Sequence, residues 1–447
     1  MTTLYPDQLL AAEKCEDWLN NTLITCAGLW ASAGYGKSYT TSYLIEEVIL
    51  KNTNYVPVLT SMTHSAVGVL AGFTGREVTT LHSFMKWIPQ KDKETGEEYI
   101  STPLMRDKNA EDILKKGMIL IVDEAGMLGH TEDKLLMDEA RRCGARILKI
   151  GDHKQCFPIF KEGEEECVPA YKSTQLYLHL TEPKRVDKSD MIYKLSTKAR
   201  LCVDGAPQPE LKTALNPDGS GKGVRHVDDI EEMAYTAFRA GIRDGNTRNI
   251  KVLAFTNIRC LNLNRKIRKK VMGYKDPTPV VGEEMIANTS ITKSSDSNEV
   301  LIRNNQLVIV KEVEKTESYG MPGAFILFED LDGNELEEIV FVPDSPAKLH
   351  ERLKKMSAEA RGLKGNGFDS EASLIWRAFY SLKESVADIR FTYAVTVNKA
   401  QGCTLKHALV DLVDINTCQS KEQKARLTYT AYTRPTDFLT IEGNLDG

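Results

Sequence analysis

The stretch that decides the fold is residues 31–38, which read Ala31-Ser32-Ala33-Gly34-Tyr35-Gly36-Lys37-Ser38. An apolar run, residues 23–30, precedes it, and a helix-forming run, residues 37–50, follows it. A strand, a glycine-rich turn and a helix that opens with Lys-Ser are the parts of a phosphate-binding loop, G-x-x-x-x-G-K-[ST]. Glycine permits the tight turn in which successive backbone N–H groups surround phosphate oxygens. The stretch therefore predicts a nucleotide-binding α/β domain.

The residue types in this loop predict how a nucleotide is held. We expect five backbone segments to surround the phosphates, those of Ser32, Ala33, Gly34, Tyr35 and Gly36. Lys37 should neutralise the β- and γ-phosphates of ATP, and Ser38 should ligate Mg²⁺. Ala31 stands where the pattern has its first glycine, and alanine fits there if its φ is negative.

A second apolar run, Ile119-Leu120-Ile121-Val122, leads directly into two acidic residues. Such a run fits a buried central strand of a parallel sheet, and ligands bind at the carboxyl ends of these strands. We expect Asp123 to hold Mg²⁺ and Glu124 to accept a proton from the attacking water. A further strand-like run, residues 146–150, is followed by Gly151-Asp152-His153-Lys154-Gln155, in which Gln155 is a candidate γ-phosphate sensor.

The rest of the chain predicts two α/β domains with parallel sheets, residues 1–190 and 191–447. A polar segment around Gly96, flanked by Trp87 and Tyr99, predicts a protruding β-hairpin within about 84–116. Short strands predict a small β-barrel, and residues 346–383 a helical arm, within an insertion at about 280–390.

Composition excludes several classes of protein. No apolar run approaches the ~18 residues of a membrane span, and the N-terminus lacks the features of a secretory signal. We therefore expect a cytoplasmic protein, in the host cytoplasm if a phage encodes it. The nine cysteines form no Cys-x-x-Cys pair, which indicates reduced thiols and no zinc site. The net charge of −5 counts mildly against nucleic-acid binding, although a basic track need only be local, because salt screens charges beyond ~10 Å.

The order of the phosphate loop, Asp-Glu and Gly-Asp-x-x-Gln resembles superfamily-one DNA helicases, and the RecD/Dda group in particular, from Leu4 to about Leu439. The resemblance implies two RecA-like P-loop domains that hold ATP between them. It also implies that the hairpin is a pin that splits the duplex, and that the β-rich insertion is an SH3-like barrel.

The resemblance assigns roles to single positions. Gln8 matches an adenine-recognising glutamine, and Arg185 and Arg434 match two arginines that reach the γ-phosphate. The resemblance also implies that Gln401 and Gly402 contact the nucleotide; both belong to residues 396–404, which match the fifth motif of these helicases. DNA contacts are implied at Thr63, His64, His82, Ser83, Thr256, Asn257, Thr396, Asn398, Lys399 and Thr404.

Four further positions carry expectations of their own. Trp87 and Tyr99 are candidates for stacking on the junction base pair, the alternative for Trp87 being a core anchor under the hairpin. Asn398 replaces the usual histidine of the family, which puts that DNA contact in doubt. Asn305 stands where the family often has glycine, so we expect a positive φ there.

The function implied by the resemblance is an ATP- and Mg²⁺-dependent helicase that moves 5′→3′ on single-stranded DNA and opens forked duplexes. Such a motor serves DNA replication, repair or recombination, and we expect a monomer whose protein partners include a single-stranded-DNA-binding protein or a replisome component. Three alternatives stay open. They are a translocase that displaces proteins with little unwinding, a P-loop switch or small-molecule kinase uncoupled from DNA, and a DNA-binding module that does not hydrolyse ATP.

Overall fold

The computed structural model describes residues 4–52, 55–91, 98–157, 170–183, 189–293, 300–331, 333–366 and 368–444. The chain divides into two compact units. Unit 1 comprises Met1–Asp228 and Ala400–Gly447, and unit 2 comprises Asp229–Lys399. The predicted α/β fold with parallel sheets is confirmed, whereas the predicted domain boundary after residue 190 stays a prediction.

The described helices and strands, in chain order, have the following bounds. The helices are α1 Pro6–Asn20, α2 Lys37–Tyr43, α3 Leu50–Asn52, α4 His64–Thr74, α5 Leu81–Phe84, α6 Pro103–Arg106, α7 His130–Cys143, α8 Met191–Cys202, α9 Ile230–Arg243, α10 Asn257–Ile267, α11 Pro346–Gly365, α12 Asp369–Ser385, α13 Leu412–Ile415 and α14 Lys421–Tyr432. The strands are β1 Cys26–Trp30, β2 Val56–Ser61, β3 Val78–Thr80, β4 Ile88–Lys91, β5 Glu98–Ser101, β6 Met118–Asp123, β7 Arg146–Gly151, β8 Leu176–His179, β9 Ala214–Leu215, β10 Gly223–Val227, β11 Ile250–Ala254, β12 Glu284–Ala287, β13 Ile291–Thr292, β14 Val300–Ile302, β15 Leu307–Ser318, β16 Met321–Glu329, β17 Val340–Pro343, β18 Ile389–Phe391, β19 Ala394–Thr396, β20 Leu405–Asp411 and β21 Pro435–Glu442.

The main sheet of unit 1 has six strands in the order β3-β2-β6-β7-β1-β8, and every neighbouring pair is parallel. Both of its faces are covered, as expected for a parallel sheet. The side chains of β6 alternate between two cores. Ile119 and Ile121 belong to one cluster, and Leu120 and Val122 belong to the other. This sheet therefore presents its loops, rather than a face, to a ligand.

The first strand begins later than the apolar pattern predicted. The pattern started the strand at Leu23, whereas β1 starts at Cys26. Leu23 is 86% exposed and its backbone N–H is bonded to the Asn21 side chain, so it lies in the turn after α1. An apolar residue in a turn is not distinguished from a strand residue by hydrophobicity alone.

Unit 1 contains a second group of strands, in the order β20-β21-β10-β9. β21 is parallel to both β20 and β10, and the short β9 is antiparallel at the edge. Helix α14 leads directly into β21. In this way the C-terminal segment becomes part of the unit that carries the phosphate loop.

Unit 2 combines a parallel pair of strands with an antiparallel sheet. β11 and β19 are parallel, and the antiparallel sheet has the order β17-β16-β15-β12-β18. The predicted β-rich insertion is thus confirmed, and the long helices α11 and α12 follow β17 as the predicted arm. Asn305 has a φ of 62°, as expected for a residue in place of a turn glycine.

The hairpin of unit 1 is formed by β4 and β5, which pair in antiparallel fashion from Ile88–Ser101 to Lys91–Glu98. The Arg106 guanidinium donates to the carbonyls of Ser101 and Lys86 and so fastens the base of the hairpin. The predicted turn at Gly96 lies outside the described residues. Over the part of the chain that the structure describes, no helix combines the length and the apolar character needed to cross a membrane.

Candidate nucleotide site and DNA-contact sets

The phosphate loop leaves β1 at the carboxyl edge of the main sheet. Gly34 and Gly36 have φ values of 78° and 85°, which an L side chain rarely adopts. The φ of Ala31 is not positive, so alanine fits there, as predicted. The Lys37 ammonium donates to the carbonyls of Ala31 (2.9 Å) and Ser32 (3.2 Å), which holds it over the loop.

The two acidic residues at the end of β6 occupy different environments. Burial and the neighbouring Glu124 carboxylate raise the pKa of Asp123 to about 7, against the opposing effect of Lys37. Glu124 has a φ of 52°, an uncommon left-handed conformation for a glutamate and one found most often at functional sites. The Gln401 amide donates to Glu124 Oε2 at 3.5 Å, so the fifth motif reaches the carboxylate.

The loop after β7 carries the candidate sensor. A Cβ atom on Gly151 would lie 2.9 Å from the Trp30 ring, so only glycine fits where β7 passes β1. Asp152 follows and is buried; its Oδ1 accepts from the Lys154 N–H at 3.0 Å, and its Oδ2 lies 3.5 Å from Gln155 Nε2. The carboxylate therefore orders the turn that carries Gln155.

Within the part of the chain that the structure describes, two buried amide oxygens in this region have no hydrogen-bond partner. They are Oε1 of Gln155, which is 3% exposed, and Oε1 of Gln401, which is 1% exposed. A buried acceptor left unpaired costs about 1–3 kcal/mol, so proteins rarely keep one without a polar ligand or water to satisfy it. Both glutamines were predicted nucleotide contacts, and their orphaned oxygens fit a polar ligand at this edge.

The remaining predicted nucleotide contacts are placed as follows. Gln8 is buried; its amide donates to Thr40 of the helix after the phosphate loop and accepts from the Tyr5 N–H. Arg434 is also buried, and its guanidinium donates to Thr430 O, Thr433 Oγ1 and Cys403 O. Arg185 lies outside the described residues.

The first set of predicted DNA contacts follows β2 and β3. Thr63 caps α4 by accepting from the Ala66 N–H. His82 Nε2 lies 2.9 Å from the Glu132 carboxylate, and Ser83 shares a hydrogen bond with Thr80. His64 is the first residue of α4. Because β3 and β2 stand beside β6 in the sheet order, this set lies at the same sheet edge as the acidic pair.

The two aromatic residues of the hairpin differ in exposure. Trp87 is 4% exposed, packs in the core of unit 1 and meets His82 edge to face. Its ring is therefore an anchor beneath the hairpin rather than a stacking surface, because core side chains already cover it. Tyr99 is 44% exposed, and its hydroxyl donates to Gln90 across the hairpin. Tyr99 is the aromatic residue that a base pair can reach.

The second set of predicted DNA contacts lies in unit 2, after the parallel strands β11 and β19. Thr256 caps α10 by accepting from the Arg259 N–H, and Thr396 accepts from the Lys399 N–H. Asn398 has a buried Oδ1 that finds no partner in the described ranges of the chain. Thr404, the last predicted DNA contact, belongs to unit 1 and is exposed.

Three side chains that the sequence did not single out join members of this second set. Arg390 donates to Asn257 Oδ1 at 3.0 Å and is paired with Asp388. Asp388 also accepts from Asn288, whose own oxygen accepts from the Lys399 ammonium at 2.6 Å. Burial and the nearby Arg390 lower the pKa of Lys399 to about 8. No local pattern announces this network, because its members are distant in the sequence.

Two further residues were missed on α14. Tyr429 donates to Asp152, and Arg426 donates to backbone carbonyls of the same loop. The resemblance predicted a role for Arg434 just after this helix, but it gave no sign of which side chains of the helix face the loop after β7.

The comparisons with known proteins agree with the geometry. The family described as "AAA domain" matches residues 19–161, which span the phosphate loop, the acidic pair and Gln155. The ATP-dependent DNA helicase Dda of Enterobacteria phage T4 is 27% identical over 400 residues, covering 85% of each chain. This chain is thus similar to the Dda helicase over most of the length of both proteins.

Two other similarities extend over at least 97% of this chain. An uncharacterised protein of Acanthamoeba polyphaga mimivirus is 21% identical over 497 aligned positions, covering 97% of this chain and 98% of that protein. A solved structure of two coordinating Pif1 helicases at forked duplex DNA has a TM-score of 0.54 at 14% identity, covering all of this chain and 93% of that one. That likeness concerns the fold.

Substitutions at Lys37 and Glu124 should separate nucleotide binding from hydrolysis. Lys37→Ala should abolish both, because the ammonium contacts phosphate in the ground state and the transition state. Glu124→Gln should retain nucleotide affinity and lose at least ~100-fold in kcat, because a general base acts in the chemical step.

Fluorescent-nucleotide titration and steady-state hydrolysis measure the two effects. Asp138→Asn, which alters an exposed carboxylate paired with Arg141, is the matched control and should leave both unchanged. A near-normal kcat in Glu124→Gln would show that another group is the base.

Proposed function

We propose that this chain is an ATP-dependent DNA helicase that moves 5′→3′ on single-stranded DNA and unwinds forked duplexes. One observation carries the proposal. The backbone N–H of Met62, at the end of β2, donates to the carbonyl of Asp123, at the end of β6, at 3.2 Å. The strand that precedes the DNA-contact residue Thr63 is thus bonded directly to the proposed Mg²⁺ ligand.

The residues at the sheet edge fit ATP and Mg²⁺. A hydroxyl from Ser38 and a carboxylate from Asp123 are the hard oxygen ligands that Mg²⁺ prefers. Mg²⁺, when bound, supplies charge neutralisation at the phosphates. Lys37 would exchange its two carbonyl partners for phosphate oxygens. Glu124 would take the proton of the attacking water, held in place by Gln401.

Coupling to DNA follows from the short path inside unit 1. Any shift of Asp123 is transmitted through its carbonyl to Met62 and, one residue later, to Thr63. The Ser61 hydroxyl also bonds to the Asp123 carbonyl, at 3.4 Å. Two bonds to one carbonyl leave the ends of β2 and β6 little freedom to move separately.

The DNA would be held mainly through its backbone, which gives grip without sequence preference. In unit 2 the cations Lys399 and Arg390 belong to one network with Asn257, and Asp388 sets the position of Arg390. The similarity to the ATP-dependent DNA helicase Dda supports the helicase activity. The 5′→3′ direction and the forked substrate are carried over from the resemblance to the RecD/Dda group.

The wider biological setting belongs to the same proposal. A DNA helicase of this type would act in replication, repair or recombination, in the cytoplasm of its cell or host. A single-stranded-DNA-binding protein or a replisome component would be its protein partner, because such proteins occupy the strand on which it moves.

The first prediction of the proposal concerns DNA-dependent ATP hydrolysis. Single-stranded DNA should raise kcat at least ~10-fold, because ordering of the loop at Thr63 also orders Asp123. Hydrolysis is measured with an oligonucleotide and without nucleic acid. Equal rates in the two conditions would favour the P-loop switch over the motor.

A strand-displacement assay then separates helicase from translocase. A helicase opens a bare forked duplex, whereas a translocase acts only when a bound protein blocks its track.

The second prediction concerns the hairpin as the element that splits the duplex. Shortening residues 90–98 to an Asn-Gly turn should spare DNA-stimulated hydrolysis and reduce unwinding of a forked duplex at least ~10-fold. The anchor Trp87 and the clamp Arg106 lie outside the removed segment, so the base of the hairpin persists. The shortened hairpin should no longer hold the two strands of the fork apart. Stacking, which contributes ~1–2 kcal/mol per base-pair step, would then keep the duplex closed.

Tyr99→Ala tests the same element by a single substitution, and Tyr177→Phe, on the distant strand β8, serves as its control. If the shortened variant unwinds a fork as fast as the parent, the splitting element lies elsewhere.

A further inference from the structure

Helix α14 contacts the loop after β7 with three side chains. Arg426 Nη1 donates to the carbonyls of His153 (2.6 Å) and Gln155 (3.1 Å). Thr430 Oγ1 accepts from the Cys156 N–H at 3.0 Å. Between them, the Tyr429 hydroxyl donates to Asp152 Oδ2 at 2.6 Å. The three residues share one face of the helix, because positions three and four apart are neighbours.

Tyr429 lies close to two motifs. Its phenol bonds to Asp152, and Ser32 of the phosphate loop lies nearby. The residue is 2% exposed. Burial and the Asp152 carboxylate raise the pKa of Tyr429 well above its usual value, so the phenol remains a donor at every working pH.

Asp152 passes this contact on to the candidate sensor. Asp152 Oδ1 accepts from the Lys154 N–H, and Asp152 Oδ2 accepts from the Tyr429 hydroxyl. The same Oδ2 lies 3.5 Å from Gln155 Nε2. The Gln155 amide oxygen is buried and has no partner among the residues that the structure describes. The orientation of this amide therefore depends on a carboxylate that α14 holds from the other side.

We propose that Tyr429 is a positioning residue for ATP hydrolysis, which acts through Asp152 to orient Gln155. The inference rests on the proposed function, because it takes Gln155 to face the γ-phosphate. In this role Tyr429 touches neither the nucleotide nor the reacting atoms. It holds the loop that carries Gln155, through its bond to Asp152.

The chain offers a matched pair of variants on one helix. Tyr429→Phe removes a hydroxyl that donates to Asp152. Tyr432→Phe removes a hydroxyl that is also buried but has no hydrogen-bond partner among the described residues. Both keep the aromatic ring and its packing. Any difference between the two variants reports the hydrogen bond of Tyr429 rather than the loss of a buried oxygen.

The experiment measures kcat and KM for ATP, with saturating single-stranded DNA, in the parent and both variants. We expect Tyr429→Phe to lower kcat about 10-fold and to change KM less than about 2-fold, because the loss falls on transition-state geometry. Tyr432→Phe should match the parent. An unchanged kcat in Tyr429→Phe overturns the inference.

A double-mutant cycle separates positioning from general stability. In a Gln155→Ala background, Tyr429→Phe should have little further effect on kcat, because the group that it orients is gone. If the two effects multiply instead, Tyr429 acts independently of Gln155 and the inference is overturned. Should Tyr429→Phe fail to fold, Asp152→Asn replaces it, with the same loss of kcat expected and an unchanged kcat again contradicting the inference.

Measurements on the parent enzyme separate the proposed function from the role of Tyr429. A parent whose ATP hydrolysis ignores DNA removes the proposed function. A parent that DNA stimulates, combined with an inert Tyr429→Phe, removes only the role of Tyr429.

Discussion

The structure depends on the register of one parallel sheet. Trp30 at the end of β1 pairs with Gly151 at the end of β7, and β2 pairs with β6 so that Ser61 stands opposite Asp123. Because all these strands run in one direction, their loops leave the sheet at one edge. This edge therefore brings together the phosphate loop, the acidic pair, the loop after β7 that carries Gln155, and the first set of predicted DNA contacts. The bond from Met62 to Asp123 makes two of them move together.

The C-terminal segment completes this edge. Gln401 contacts Glu124, and α14 contacts the loop after β7 through Arg426, Tyr429 and Thr430. These contacts are polar, and each is buried or partly buried. Buried polar contacts are costly to leave unpaired and so favour a single arrangement of the loops. The same contacts join the loop after β7 to the helix that directly precedes Arg434.

Local patterns predicted the parts of the site, and distant contacts escaped them. The phosphate loop and the acidic pair follow from a few adjacent residues, and the left-handed turn at Asn305 follows from its residue type. The bond between Tyr429 and Asp152 joins residues 277 positions apart, so no spacing reveals it. The burial of Trp87 depends on how the hairpin folds over the core, which aromatic content alone does not determine.

The central claim is that nucleotide and DNA sites in this chain are energetically coupled. The most direct test measures the affinity for single-stranded DNA with and without a saturating non-hydrolysable ATP analogue and Mg²⁺, and the affinity for the analogue with and without DNA. Coupling is reciprocal in binding equilibria. The account predicts that each ligand changes the affinity for the other by the same factor, at least about 5-fold. Affinities that are identical with and without the second ligand would contradict it.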